Sequence, residues 1–219
     1  MKRFFESPEP IHIPDETPLV FLEGPVQGAR DWQTSFAHRL LDAFPDIAVA
    51  SPRTIPAHQA RITSPETNRS ALDLQNAYEF TARRLAYRYG AIALWYAAQD
   101  PALPYKQGRV YAKTSEKEDS EVWGWMVAHP DYPFVVGYEP GFRNLPTGEQ
   151  EYNNRNHHII GITEHASLND VFNATTVAIE YAKSVGPRPI PSLTSQSTQR
   201  ALDQLDLEWQ RTYSQSQQE

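Results

Sequence analysis

Two glutamates three residues apart, Glu118 and Glu121, lie where Val122, Trp125 and Met126 recur at helical spacing. A helix there would set both carboxylates on neighbouring faces, and either could reach a cleft. A third acid, Glu79, lies on an earlier helical stretch, eleven residues before Gly90. Short apolar runs that read as strands end in Glu23-Gly24-Pro25, in Ser51-Pro52-Arg53 and at Tyr96. The groups offered at strand ends are therefore carboxylates, aromatic rings and one arginine, without a glycine loop to cradle phosphate. Other chemistries fall away on inventory. With no cysteine, disulfides, thiolate catalysis and cysteine-ligated metals are excluded. No G-x-G-x-x-G, Walker A lysine or G-x-S-x-G elbow occurs, which disfavours dinucleotide oxidoreductases, P-loop enzymes and serine hydrolases. Of the seven histidines only His157 and His158 are close, and neighbours on a strand point to opposite faces, so neither a metal site nor any cofactor is expected.

These residues need a scaffold, and the chain alternates strand and helix signals. Residues 18–23, 47–50, 91–96, 134–137 and 159–163 read as short buried strands. Trp32, Phe36, Leu40, Leu41 and Phe44 mark a helix from Asp31 that Pro45 closes, and Leu72, Leu74, Tyr78, Leu85, Ala86 and Tyr89 mark a second, with Gly90 placed as a C-cap. A third spans 116–129, with Ser115 and Glu118 at capping-box spacing, and a fourth covers 167–184. Alternation of this kind implies a doubly wound, mostly parallel five-stranded α/β sheet sandwiched by helices, flavodoxin/Rossmann-like. Residues 1–17, rich in proline, read as an extended N-terminal arm, 18–185 as the α/β domain, and 186–219 as a proline-rich linker with a C-terminal helix and tail.

At 219 residues, 40% hydrophobic, the chain suits one core. A net charge of -7 repels nucleic-acid polymers and anionic membrane surfaces, and no apolar run approaches the length of a membrane span. No secretory signal is readable at residues 1–14, so the expected compartment is the cytoplasm.

The order of motifs resembles the nucleoside 2-deoxyribosyltransferase-like family. The resemblance rests on Val20-Phe-Leu-Glu-Gly-Pro25 with Asp31-Trp32-Gln33, on Ser51-Pro-Arg53, on Gln75-Asn-Ala-Tyr-Glu79 ahead of Gly90-Ala-Ile-Ala-Leu-Trp-Tyr96, and on Tyr111-Ala-Lys-Thr-Ser115 ahead of Glu121-Val-Trp-Gly-Trp125, ending at Gly137-Tyr-Glu-Pro-Gly-Phe142. It implies a homo-oligomeric doubly wound protein that cleaves the N-glycosidic bond of a small-molecule nucleoside or nucleotide, as a glycosyltransferase or an N-glycoside hydrolase. A helix-borne glutamate would carry the (deoxy)ribosyl group covalently. Aligned without a gap from Tyr111 that glutamate is Glu118, with Glu116 where the family has Arg; with a three-residue insertion it is Glu121 and Trp125 follows four residues later. The family's Arg has no counterpart in either register, and the alternative is a catalytically idle protein of the same fold that binds a nucleotide-like ligand. Glu79 would orient sugar hydroxyls or handle the proton of the departing base. Glu23, Gly24 and Pro25 would line the ligand, Trp32, Tyr78 and Tyr96 would wall a planar base, and Arg53 would meet a phosphate or sugar oxygen.

Plainer roles exist for the same residues. Glu118 fits a helix cap, Glu79 and Arg83 fit a solvated i,i+4 pair, and Arg53 fits a helix C-cap or a surface ion pair. Trp95 and Tyr96 alternate across a strand, so one belongs to the core and one can face a ligand.

Overall fold

A computed structural model describes residues 3–14, 16–54, 69–103, 111–112, 122, 125, 132–142 and 167–189. Its strands are β1 (Phe4–Ser7), β2 (Leu19–Glu23), β3 (Ala48–Thr54), β4 (Ala91–Tyr96) and β5 (Phe134–Tyr138); its helices are α1 (Gln33–Ala43), α2 (Arg69–Tyr89) and α3 (Leu168–Val185). The strands form one sheet in the order β1-β3-β2-β4-β5, parallel at every pairing.

The winding follows from the order. From β2 the chain steps through α1 to β3 on one side, then through α2 back past β2 to β4 on the other. Right-handed crossovers in opposite directions put their helices on opposite faces. Accordingly α2 packs on β2 and its neighbours, while α1 lies on β3 and touches α3, which covers β4 and β5. The fold is doubly wound α/β, with the strand-order switch between β2 and β4. Every residue of β2, β4 and β5 is buried, as parallel strands covered on both faces require. Among the described residues no helix is long and apolar enough to cross a membrane.

Three local findings differ from the sequence reading. The first is that residues 4–7, read as part of an extended arm, form the edge strand β1, with Phe5 and Ser7 buried. The expected strand at 159–163 lies outside the described residues, as do the C-terminal helix and the capping pair Ser115/Glu118. The second concerns β3, which runs on to Thr54 because β1 pairs along it; the register slips between Glu6 and Ser7, and Pro52, which has no N–H to donate, sits in that irregularity. The third is that Gly90 is not in the left-handed conformation of a cap: a Cβ there would lie 1.9 Å from the Leu19 carbonyl oxygen, so close approach of β2 demands the glycine.

The helix ends explain themselves locally. Asp31 accepts from the Thr34 N–H at 3.1 Å and so caps α1, and Ser167 and Asp170 form the capping box that opens α3. Those Ser167 bonds hold the Asp170 carboxyl below its ordinary range. Residues 186–189, the start of the expected linker, fold back onto the domain. Arg188 Nε donates to the Tyr87 carbonyl at 2.8 Å and its guanidinium also reaches the Gly90 carbonyl, covering the C-terminal end of α2.

Candidate active site

In a doubly wound sheet ligands settle beyond the carboxyl ends of the strands at the switch in strand order. Here that edge carries Glu23 of β2, Ser51 to Thr54 of β3 and Tyr96 of β4, and the N-terminal half of α2 comes down onto it.

At the switch itself, Glu23 is buried and its Oε1 accepts from Arg83 Nε at 2.8 Å, with Nη2 2.7 Å away in the ion pair but out of line for a hydrogen bond. Arg83 is thus no solvated helix partner; it crosses from α2 to close the end of β2. Gly24 follows with φ +138°, and a Cβ there would stand 2.2 Å from the Trp95 carbonyl oxygen and 3.4 Å from Trp32 Cζ2. Glycine is what lets the turn after β2 press against the end of β4. The loop after β2 is tied to Asp100, whose N–H donates to the Gly28 carbonyl at 2.8 Å and whose carboxylate receives Arg30 at 3.1 Å. Those bonds hold the Asp100 carboxyl below its usual range, the Ala102 N–H first and then Arg30.

On the α1 side, Arg53 Nε stands 3.0 Å from Asp31 Oδ1, out of line for a hydrogen bond, and its Nη2 reaches Gln33 Oε1 at 3.4 Å. Gln33 is buried, and neither its Nε2 nor Trp32 Nε1 has a hydrogen-bond partner among the described residues. Trp32 itself is edge-on to Phe36, with centroids 5.6 Å apart.

On the α2 side, Gln75 Nε2 donates to the Pro52 carbonyl at 2.9 Å and to Glu79 Oε1, while Ser7 Oγ donates to Gln75 Oε1. Glu79 is half-buried. Tyr78 is fully buried; its hydroxyl donates to the Phe5 carbonyl at 2.8 Å and accepts from the Ser51 N–H at 3.2 Å. Burial drives the Tyr78 phenol well above its ordinary range. That ring therefore ties α2 to β1 and β3, a framing role.

Beyond β4 lies an aromatic group the sequence reading did not assemble. Tyr96 meets Phe142 with centroids 4.8 Å apart, Phe142 lies 6.2 Å from Tyr111, and the Tyr111 hydroxyl donates to the Ala97 carbonyl at 2.7 Å. Glu139 accepts from the Ala98 N–H at 2.8 Å. Trp95 and Tyr96 are both buried, so alternation along β4 does not divide them into core and surface.

The structure thus gathers Glu23, Gly24, Trp32, Arg53, Tyr78, Glu79 and Tyr96 on elements that end at one edge. Glu118 and Glu121 lie outside the described residues. Their neighbours Val122 and Trp125 are buried, Trp125 edge-on to Tyr87 of α2 with centroids 5.0 Å apart. Ser7, Asp31 and Gln75 were missed as site residues. Gln75 stands at i,i+4 spacing from Glu79 and could have been found; the contribution of Ser7, 68 residues away, could not. No family model matches the chain, and no curated protein matches it either.

Proposed function

We propose that the protein cleaves the N-glycosidic bond of a nucleoside or nucleotide and carries the (deoxy)ribosyl group on Glu121 or Glu118. The carboxylate attacks the anomeric carbon as the C–N bond breaks, and the bonding pair leaves on the base nitrogen, which takes up a proton. A second base nitrogen or water then displaces the carboxylate. The bond breaks through an oxocarbenium-like state, so carboxylates beside the sugar are what the chemistry asks for.

One observation carries the reading: Glu79, anchored through Gln75 to Pro52, stands at the carboxyl edge of a doubly wound sheet, where β2, β3 and β4 end. Trp32 and Tyr96 are the rings for a base, and the backbone at Gly24-Pro25 is the close approach. Trp32 Nε1 and Gln33 Nε2, buried donors with no acceptor among the described residues, suit a ligand oxygen. Arg53, in a partly exposed pair with Asp31, suits a phosphate or a sugar oxygen. Incubating the protein with deoxynucleosides, nucleotides and a free acceptor base, followed by chromatography, tests this. A new nucleoside means transfer and free base alone means hydrolysis; an unchanged panel overturns the proposal.

A second reading, binding without turnover, is favoured by the absence of an arginine from residues 113–121. Thermal stabilisation by a nucleotide that is recovered unaltered supports it. Either reading carries the expectation of a homo-oligomer, which light scattering checks.

A further inference from the structure

Resting on the functional reading above, the hydrogen bonds around Gln75 distinguish between the two roles open to Glu79. Pro52 O and a glutamate carboxylate are acceptors, and the only donors of the Gln75 side chain are the two hydrogens of its amide nitrogen. With Nε2 placed on both, each hydrogen has an acceptor, and the amide oxygen is left to receive the Ser7 hydroxyl. A flipped amide would set oxygen against two oxygens, so the network itself fixes which end faces Glu79. Ser7 comes from the edge strand β1, and Pro52 presents its carbonyl from the irregularity where β1 and β3 slip register.

We infer that Gln75 is a positioning residue, fixed by Ser7 and Pro52, that holds Glu79 as a carboxylate turned to accept from a sugar hydroxyl rather than as the acid that protonates the departing base. An amide N–H given to a carboxylate favours its ionised form, because the protonated form offers that donor less negative charge. The base then takes its proton from another group or from water. The edge strand, although far from the switch in strand order, thereby becomes part of the site. The charged groups on the described parts of the surrounding elements include Glu6 of β1, Glu9 beyond it, Glu23 of β2, Arg53 of β3, and Asp73, Arg83 and Arg84 of α2, with the Tyr78 phenol alongside; none of these is altered in the test variants.

The test is carbon-13 NMR titration of the Glu79 carboxyl in the full chain, its signal assigned by its loss in Glu79→Gln. In Gln75→Leu the Glu79 midpoint is expected to rise by about one pH unit, and in Ser7→Ala by less in the same direction. In the unaltered protein the Gln75 side-chain amide signals are expected to shift with the Glu79 midpoint, which needs no variant to fold. A Glu79 midpoint unmoved in Gln75→Leu, or amide signals indifferent to Glu79 ionisation, overturns the inference. Neither readout depends on turnover, so a protein without glycosidic activity whose Glu79 still answers to Gln75 would sink the functional reading, and the sugar contact with it, and leave standing only that Gln75 positions Glu79 as a carboxylate.

Discussion

Two arginine–carboxylate pairs stand at the same edge of the sheet, and they differ in what water can reach. Arg83 and Glu23 have side chains 5% and 1% exposed; Arg53 and Asp31 have 22% and 44%. The buried pair has surrendered its hydration, so removing one ion leaves the other's charge buried without its counter-ion. The outer pair keeps much of its hydration, is screened, and exchanges partners at little cost. An arginine intended for a ligand belongs in the second setting, and one intended to lock a helix across a strand end belongs in the first. The contrast sets Arg83 in the frame and is the reason we propose Arg53, rather than Arg83, for the ligand.

The largest effect should come from breaking the inner pair. Arg83→Met is expected to lose about 3–5 kcal/mol in denaturant unfolding, because Glu23 is left buried without its guanidinium, and Glu23→Gln combined with Arg83→Met should recover much of it. A loss below about 1 kcal/mol would erase the distinction between the pairs.

A middling effect is expected at Tyr78, the other tie between α2 and the strands. Tyr78→Phe removes the hydroxyl that accepts from the Ser51 N–H and donates to the Phe5 carbonyl, for about 0.5–1.5 kcal/mol by the same unfolding measurement. The pH dependence has a definite sign. Burial raises the phenols of Tyr78 and Tyr132 above their ordinary value of 10.0, so their contribution is complete below that pH and is lost as pH climbs toward the folded-state values. Alkaline titration should show Tyr78 and Tyr132 among the tyrosines that ionise only together with unfolding by circular dichroism, and Tyr78→Phe should lower the number of those tyrosines by one.

The smallest effect on stability is expected for Arg53→Ala, about 0–1 kcal/mol, accompanied by roughly tenfold or greater loss of affinity for a phosphate-bearing nucleotide. Equal affinity in calorimetry would return Arg53 to the role of a surface ion pair.

What was legible in the chain follows the same physics. β2, β4 and β5 announced themselves because burial on both faces leaves an unbroken apolar run, and α3 showed its helical period. β1 did not, because Phe4-Phe5-Glu6-Ser7, four residues ahead of several prolines, do not alternate apolar with polar and so carry no period to detect. β3 was read short because its last four residues, Ser51 to Thr54, look like a loop until β1 pairs beside them. For the site, residue types at strand ends were readable, but partners were not. Arg83, which stands at i,i+4 spacing from Glu79, reaches Glu23, 60 residues away, and the Tyr78 hydroxyl bonds to Phe5 of β1 and Ser51 of β3. Local spacing constrains only the face of a helix; which strand end that face meets is decided by the winding of the sheet.

The most direct measurement is intact-protein mass spectrometry after rapid quenching of the protein with a 2'-deoxynucleoside and no acceptor base, followed by peptide mapping. The account predicts one deoxyribosyl group attached to the 113–125 stretch, on Glu118 or Glu121, and lost when that glutamate becomes glutamine. Turnover of the nucleoside with no adduct at either position, or with an adduct elsewhere, would contradict it.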